Sequence, residues 1–183
     1  MLRHRKKTIA MTAAGLPYQE CPAKTYLDAQ GVKKLGRSVL EHSCIVGSVA
    51  RALINRSAIA HSFPSGSVLV AAAHDVGKVS PTFYNMLHAS CALPQIPGFP
   101  YQLERNWGGH AGVSQITAQA IKAPEYVPEI LGQHHGFLPN VSSYRADSEV
   151  FGGDPWQAER ERLIQALKVF LMKIGQLLIA LQQ

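Results

Sequence analysis

Residues 155–183 constrain the fold more than any other segment, because their large apolar side chains recur in alternating steps of four and three. This spacing places the side chains on one side of a helix. The preceding Asp154-Pro155 pair is typical of a helix start. The pattern therefore predicts one long final helix with an apolar stripe that has to be buried. The stripe consists of Leu163, Leu167, Phe170, Ile174, Leu177 and Leu181.

The rest of the chain predicts shorter helices joined by loops. The 183 residues are 46% apolar and 16% charged, which is typical of a single globular domain. Residues 1–35, 91–108 and 137–154 are interrupted by Gly and Pro and are predicted to be irregular. Neither internal repeats, alternating strand patterns nor a Gly-rich phosphate loop occurs, so the predicted fold class is all-α. The predicted helices cover residues 38–55, 68–73, 81–88, 109–121, 124–135 and 155–183.

The net charge of +6 is confined to one end of the chain. Residues 1–37 contain eight Lys and Arg against two acidic residues, and the remainder is formally neutral. We therefore divide the chain into a basic, mostly irregular segment, 1–37, and a domain over 38–183. The three widely spaced cysteines indicate neither a disulfide framework nor a zinc knuckle, which favours the cytoplasm. No apolar run approaches the roughly 20 residues that cross a membrane, so no membrane partner is expected.

Five of the eight histidines fall in four compact clusters, each on a predicted helix or helix end. His42 shares a predicted face with Val46, Val49 and Leu53 and should point inward. Taken singly, such a histidine is commonly a hydrogen-bonded core residue. His4, His61 and His88 lie in a tail, a turn and a predicted helix surface and receive no functional role. The clusters contain His42, His74-Asp75, His110 and His134-His135.

Together the clusters match a nitrogen and oxygen site for divalent transition metals. Asp75 follows six apolar residues, so its carboxylate should be buried and needs a partner or a metal. Neighbouring residues on a helix point about 100° apart, so His74 and Asp75 suit two adjacent ions better than one. Two ions bridged by Asp75 would suit phosphate ester hydrolysis. Lys78 could meet the scissile phosphate, pair with Asp75, or be simply solvated.

The motifs resemble the HD superfamily of metal-dependent phosphohydrolases, in particular the HD nuclease domain of type I CRISPR interference. This domain is the nuclease half of the CRISPR-associated helicase–nuclease, or a separate subunit. The resemblance covers roughly residues 38–140 and depends on the order and spacing of four segments. These are Leu40-Glu-His-Ser43, His74-Asp-Val-Gly-Lys-Val-Ser-Pro-Thr-Phe83, His110-Ala-Gly-Val-Ser114 and Gln133-His-His-Gly136.

The resemblance implies an HD-domain helical bundle, with the metal site between helices, that cuts single-stranded DNA in antiviral defence. It implies two divalent ions, drawn from manganese, magnesium, nickel, cobalt and iron. It also implies a CRISPR helicase domain or subunit and the RNA-guided surveillance complex as partners. By position, Asp75 and Lys78 are the catalytic residues, and Lys78 and Ser114 line the substrate path. The implied ligands are His42, His74 and Asp75 for the first ion, and Asp75, His110, His134 and His135 for the second.

One departure from the family pattern bears on the first ion. The family supplies a further aspartate from a helix well after the H-H-G motif, and this chain offers only Asp147 and Asp154 there. Either one substitutes, or the chain is a fragment of a longer protein, which is the expectation we favour. The apolar stripe of the final helix would then meet a partner surface, although its first half could equally pack on the domain's own core.

Two other functions stay open at this point. The first is an HD phosphohydrolase acting on nucleotides or small phosphoesters. The second is a non-catalytic scaffold that binds metal and partner proteins. The sequence shows no clear platform of aromatic residues for stacking bases, because core packing is the more common role for those near the motifs. These aromatic residues are Phe83, Tyr84, Trp107 and Phe137.

Overall fold

The structure, a computed structural model, describes residues 15–105, 108–137, 139 and 151–180, and only the backbone of 177–180. Within these ranges it is mostly helical, which confirms the all-α prediction. Short 3₁₀ turns at Tyr18–Glu20, Ala60–Ser62, Val76–Lys78 and Tyr101–Arg105 connect the longer elements. The α-helices are α1 Val39–Arg56, α2 Ser67–Ala72, α3 Pro81–Ser90, α4 Gly109–Ala120, α5 Val127–Gly132 and α6 Gly153–Ala180.

A small hairpin lies in the segment that the sequence predicted to be irregular. Strands β1 (Thr25–Leu27) and β2 (Lys33–Leu35) pair antiparallel, and the Asp28 carboxylate accepts hydrogen bonds from backbone N–H groups in the turn. The prediction of irregular structure is wrong here, because strands of three mostly exposed residues carry no apolar alternation. Cys21, just before the hairpin, is fully buried in the main core. The division of the chain at residue 38 stays a prediction.

Helix α1 begins where the sequence predicts but buries a different face. Ser38 and Glu41 form a reciprocal capping box at its start. Its buried residues are Val39, Ser43 and Gly47. Gly47 allows close approach, since a Cβ there would lie 3.0 Å from the Cβ of Ala72 and 3.1 Å from a Leu171 methyl. Small residues thus mark the contact face, and the predicted inward positions Val49 and Leu53 are 51% and 66% exposed.

The remaining helices follow the sequence closely, with one correction. The apolar run at 68–73 is helical in α2, and the Ser80 hydroxyl caps α3 by accepting from the Phe83 N–H, with proline at the first turn. Helix α5 was predicted over 124–135 but covers only Val127–Gly132. It follows the left-handed Tyr126 and gives way to a turn closed by the Gly136 N–H donating to the Gln133 carbonyl.

The first half of α6 supplies much of the core. Trp156, Leu163 and Leu167 are fully buried, and Leu171 is nearly so. The interpretation that this half of the stripe packs on the domain itself is therefore confirmed. Phe170 and Ile174 are half-buried, and Leu181 lies outside the described residues. Among those residues no helix is long and apolar enough to cross a membrane.

Arg160 on α6 connects this helix to the turn after the His74-Asp75 pair. Its guanidinium is fully buried and donates 3.0 Å hydrogen bonds to the carbonyls of Val79 and Phe151. The Gln157 side chain accepts two further bonds from it. Burial lowers the pKa of Arg160 to about 9, so it stays charged at neutral pH. Within the described residues the guanidinium thus donates to carbonyl and amide oxygens, and the nearby charge of Glu161 favours its ionised form.

We expect Arg160→Met to lower the free energy of unfolding by about 2–4 kcal/mol, because two buried carbonyls lose this donor. Arg56→Met is the matched control, since Arg56 is exposed in the last turn of α1. Its expected effect is below about 0.5 kcal/mol. Urea denaturation of the two variants measures both values. Equal losses would show that Arg160 does not anchor the turn.

Gly77 fixes the distance between the His74-Asp75 turn and α4. A Cβ at this position would overlap the His110 carbonyl and lie 2.6 Å from the Ser114 nitrogen. Both obstacles are backbone, so neither can rotate away. The glycine of the H-D-x-G-K motif is therefore required by close packing of two backbones.

Gly77→Ala should destabilise the domain by about 2 kcal/mol or more, since overpacking a tight contact typically costs 1–3 kcal/mol. Gly175→Ala is its control, because a methyl there meets only an Arg51 side-chain nitrogen at 3.3 Å and a helical position favours alanine. Thermal unfolding should show a lower Tm for the first variant and an unchanged or higher Tm for the second. A Gly77→Ala protein as stable as wild type would contradict the packing.

Candidate metal centre

The structure brings all six predicted ligands to one place. His42 projects from α1, and His110 lies in the first turn of α4. The other four lie in turns just past helix ends, in pairs that follow α2 and α5. The core packing of α1, α2, α4 and α5 thus converges on one small cluster, which we call the histidine cluster: His42, His74, Asp75, His110, His134 and His135.

The Asp75 carboxylate lies at the centre of this cluster and is 3% exposed. Its Oδ2 atom lies 2.9 Å from the His42 Nε2 and 3.0 Å from the His74 Nε2. Its Oδ1 atom lies 3.3 Å from the His110 Nε2 and 3.5 Å from the His134 Nε2. One carboxylate therefore faces two imidazoles with each of its oxygens.

Adjacent residues can converge because the helices end before them. Helix α2 stops at Ala72, and His74 and Asp75 occupy a tight turn that leads into the 3₁₀ turn Val76–Lys78. The angular separation expected on a regular helix therefore does not apply. The same holds at His134 and His135 after α5, where the two ring centroids are 4.1 Å apart.

Backbone carbonyls fix the orientation of two imidazoles. The Nδ1 atom of His74 lies 2.9 Å from the Ala71 carbonyl, and that of His134 lies 2.7 Å from the Leu131 carbonyl. A carbonyl only accepts, so in both rings the hydrogen belongs on Nδ1. Each Nε2 is then left with a lone pair directed toward the centre, as a metal ligand requires.

Electrostatics favour an ionised carboxylate among largely neutral imidazoles. Burial alone would raise the pKa of Asp75, but its contacts with the imidazoles of His110, His134 and His74 and the charge of Lys78 hold it far below its usual range. Burial lowers the pKa of His42 and His110 despite the attraction of Asp75. Burial and the neighbouring His134 lower that of His135.

His134 differs from His42, His110 and His135. Burial lowers its pKa, but its contacts with the Asp75 carboxylate and the Leu131 carbonyl outweigh burial, so that the pKa is raised overall. Compared with those three rings, His134 therefore holds a proton more readily when no ion competes for its Nε2.

The donor atoms fit a divalent metal. In the described part of the chain, two groups have ligand atoms that all lie within 4.8 Å of one another, namely His42, His74 and Asp75, and His110, His134 and His135. The buried Nε2 atoms of His42 and His134 make no well-formed hydrogen bond within the described part of the chain. Neutral imidazoles and a carboxylate are the ligands of zinc, manganese, iron, nickel and cobalt sites. A bound cation would accept the lone pairs of these two nitrogen atoms, which no hydrogen bond in the described part of the chain satisfies.

Lys78 and Ser114 differ in their access to the cluster. The Lys78 Nζ lies 2.7 Å from the Asp75 Oδ2 and 5.5 Å from the Phe83 ring centroid. Ser114 is fully buried, accepts from the Gly77 N–H and donates to the His74 carbonyl, both at 2.9 Å. It was expected to line the substrate path, but a buried hydroxyl with both bonds made instead holds α4 against the turn.

The late aspartates do not complete the first group within the described residues. Asp154 is exposed in the first turn of α6 and belongs to neither ligand group. Asp147 lies outside the described residues. The first group thus has two imidazoles and one carboxylate in the described part of the chain.

Sequence reasoning missed the burial of two titratable groups. Glu104 is 3% exposed in the 3₁₀ turn before α4, and its Oε1 lies 4.0 Å from the His110 Nδ1. Its neighbours Gln102 and Arg105 gave no sign of burial. His88 was assigned to a helix surface, but it is 9% exposed, stacks on Tyr84 and contacts the Pro94 carbonyl at 2.7 Å. That assignment is wrong because the loop after α3 folds back over it.

Comparison with known proteins places this geometry in a family. Residues 23–183 match the family described as Cas3, HD domain. No curated protein and no solved structure matches the chain. The matched region includes the whole histidine cluster and Lys78, and the family is one of HD-type, metal-dependent nucleases of CRISPR systems. The resemblance seen in the motifs is thereby confirmed, and the chain belongs to the Cas3 HD-domain family.

Proposed function

We propose that this chain is a phosphodiesterase that cuts single-stranded DNA in CRISPR interference and uses two divalent ions to do so. The observation that carries the proposal is the position of Asp75. Its Oδ2 faces His42 and His74 of one ligand group, and its Oδ1 faces two imidazoles of the other group. A carboxylate in this position suits a ligand shared by two ions.

The chain's own residues prepare the site for such ions. Bound divalent ions would supply a water of lowered pKa and neutralise charge on the phosphoryl oxygens. Asp75, kept ionised, provides the negative charge that attracts them. His42 and His74 complete one ligand group, and His110, His134 and His135 form the other. Lys78 offers an ammonium group beside the same carboxylate, where it can bind a substrate phosphate.

Access to the cluster suits a polymer better than an enclosed small molecule. The side chains of His42 and His74 are 23% and 25% exposed, and His135 lies at the surface. A nucleotide hydrolase would enclose most of its ligand in a pocket at the metal site.

The proposal extends to partners and location. The basic segment 1–37 would make secondary, salt-dependent contacts with the DNA backbone. Lys33 and Lys34 of its hairpin are exposed, and Arg3, Arg5, Lys6 and Lys7 lie outside the described residues. The partners would be a CRISPR helicase domain or subunit and the RNA-guided surveillance complex. The three unpaired cysteines favour a reducing, cytoplasmic location.

Asp75→Ala should abolish manganese-dependent cleavage of circular single-stranded DNA, because both ligand groups lose the carboxylate between them. Asp154→Ala should cut at the wild-type rate, since Asp154 is exposed and outside both groups. Gel electrophoresis of the circular substrate measures both rates. Equal cleavage by Asp75→Ala and wild type would rule out the two-ion proposal.

The same assay separates the other functions. Hydrolysis of nucleotides or small phosphoesters, with circular DNA left intact, would show that the chain is a small-molecule phosphohydrolase and not a nuclease. Metal binding without hydrolysis of either substrate would favour a non-catalytic scaffold.

Lys78→Met should slow DNA cleavage by roughly 10²-fold, the loss typical of removing one preorganised charged donor. Manganese affinity should be unchanged or tighter, because the ammonium that pairs with Asp75 is gone. Lys173→Met, at an exposed position on α6, is the matched control. Calorimetric titration with manganese and the cleavage rate are measured on the same preparations. Loss of manganese binding by Lys78→Met would show that Lys78 organises the ligands instead of the substrate.

A further inference from the structure

Glu104 is a buried acid that the ligand groups do not account for. Glutamate is rarely buried without a partner, and this side chain is 3% exposed. The Thr82 hydroxyl donates a 2.6 Å hydrogen bond to its Oε2. Its Oε1 is buried and makes no hydrogen bond of normal geometry within the described residues, and the backbone N–H of His110 also interacts with this carboxyl. Oε2 is thus held by Thr82, and Oε1 faces the backbone and the ring of His110.

Among the described residues, the ring nitrogen that faces this oxygen belongs to His110. The His110 Nε2 faces the centre of the cluster, 3.3 Å from the Asp75 Oδ1 and 2.9 Å from the His135 Nε2. Its Nδ1 points the other way, 4.0 Å from the Glu104 Oε1. The Phe83 ring meets the imidazole edge to face at 5.0 Å between centroids. The imidazole therefore lies between the cluster and the buried carboxyl.

The comparison with His74 and His134 suggests what Glu104 does. In both of those rings a backbone carbonyl 2.7–2.9 Å away holds the Nδ1 hydrogen and directs Nε2 to the centre. At His110 the oxygen that faces Nδ1 is a carboxyl oxygen. A carboxylate behind a ligating imidazole fixes the ring and makes its other nitrogen a stronger ligand. Distances at such sites commonly shorten when the site is loaded.

We propose that Glu104 is a positioning residue for His110, whose Nδ1–H donates to the Glu104 Oε1 when Nε2 binds a divalent ion. The inference rests on the proposed function, because it concerns the same ligand groups. By this inference, Glu104 determines how tightly the group formed by His110, His134 and His135 binds a divalent ion. The purely structural alternative is that Glu104 only ties the 3₁₀ turn to α3 through Thr82 and supports the start of α4.

Glu104→Gln distinguishes the two, because glutamine keeps the shape and an acceptor for the Thr82 hydroxyl but loses the charge. The probe is Zn²⁺ alone, titrated calorimetrically. We expect the variant to bind one of two ions about 10–100-fold more weakly, the usual cost of removing such a partner. Glu129→Gln, exposed on α5, is the matched control and should bind like wild type. Glu104→Asp, with the charge kept but shortened, should give an intermediate affinity.

Histidine ¹⁵N NMR of the zinc-loaded protein provides a readout that a structural role would not move. In wild type the His110 Nδ1 should carry a hydrogen that is shifted downfield and protected from exchange. In Glu104→Gln this signal should move toward that of an amide-bonded imidazole. The wild-type measurement stands even if a variant fails to fold.

Wild-type zinc affinity in Glu104→Gln with an unchanged His110 signal would overturn the inference and leave the metal site intact. A wild-type protein whose zinc-loaded His110 carries its hydrogen on Nε2 would overturn it as well. Failure of the wild-type chain to bind any divalent ion would instead overturn the proposed function itself. The binding and NMR results thus separate the two failures.

Discussion

The burial of one carboxylate, that of Asp75, is the constraint on which the rest of the site depends. A buried charge is costly unless it is paired, and around Asp75 the pairing comes from imidazoles on all sides and from Lys78. The same arrangement orients the imidazoles, because the Nε2 atoms of four of them face the Asp75 carboxylate. A divalent ion on either side of the carboxylate would satisfy the groups that protein contacts leave incomplete.

The surrounding fold serves to hold short turns in place. His74 and Asp75 lie in a turn after α2 and not in a regular helix. The position of this turn therefore depends on contacts with other parts of the chain. Gly77 allows the backbone of the turn to pack directly against α4. The Ser114 hydroxyl accepts a hydrogen bond from the Gly77 N–H and donates one to the His74 carbonyl. Arg160 on α6 donates a hydrogen bond to the Val79 carbonyl. Three separate contacts thus fix a segment of about six residues. This explains why an arginine that is not itself a metal ligand is buried beside the turn.

Much of this arrangement was predictable from the sequence, because its signals are local. Helix starts with a capping side chain, such as Ser38 and Ser80, lie where expected. The histidine and aspartate motifs were visible because their order and spacing are unusual. What failed depends on tertiary contacts. The inward face of α1 follows from Gly47 and the approach of Leu171, and the burial of Ser114 and Glu104 follows from packing that no local pattern records.

The number of divalent ions bound per chain tests the central claim most directly. The measurement is equilibrium dialysis against manganese followed by elemental analysis, on wild type and Asp75→Ala. The account predicts two ions per wild-type chain and, because one carboxylate serves both ligand groups, fewer than one ion in the variant. A single ion in wild type, or two ions retained without Asp75, would contradict it.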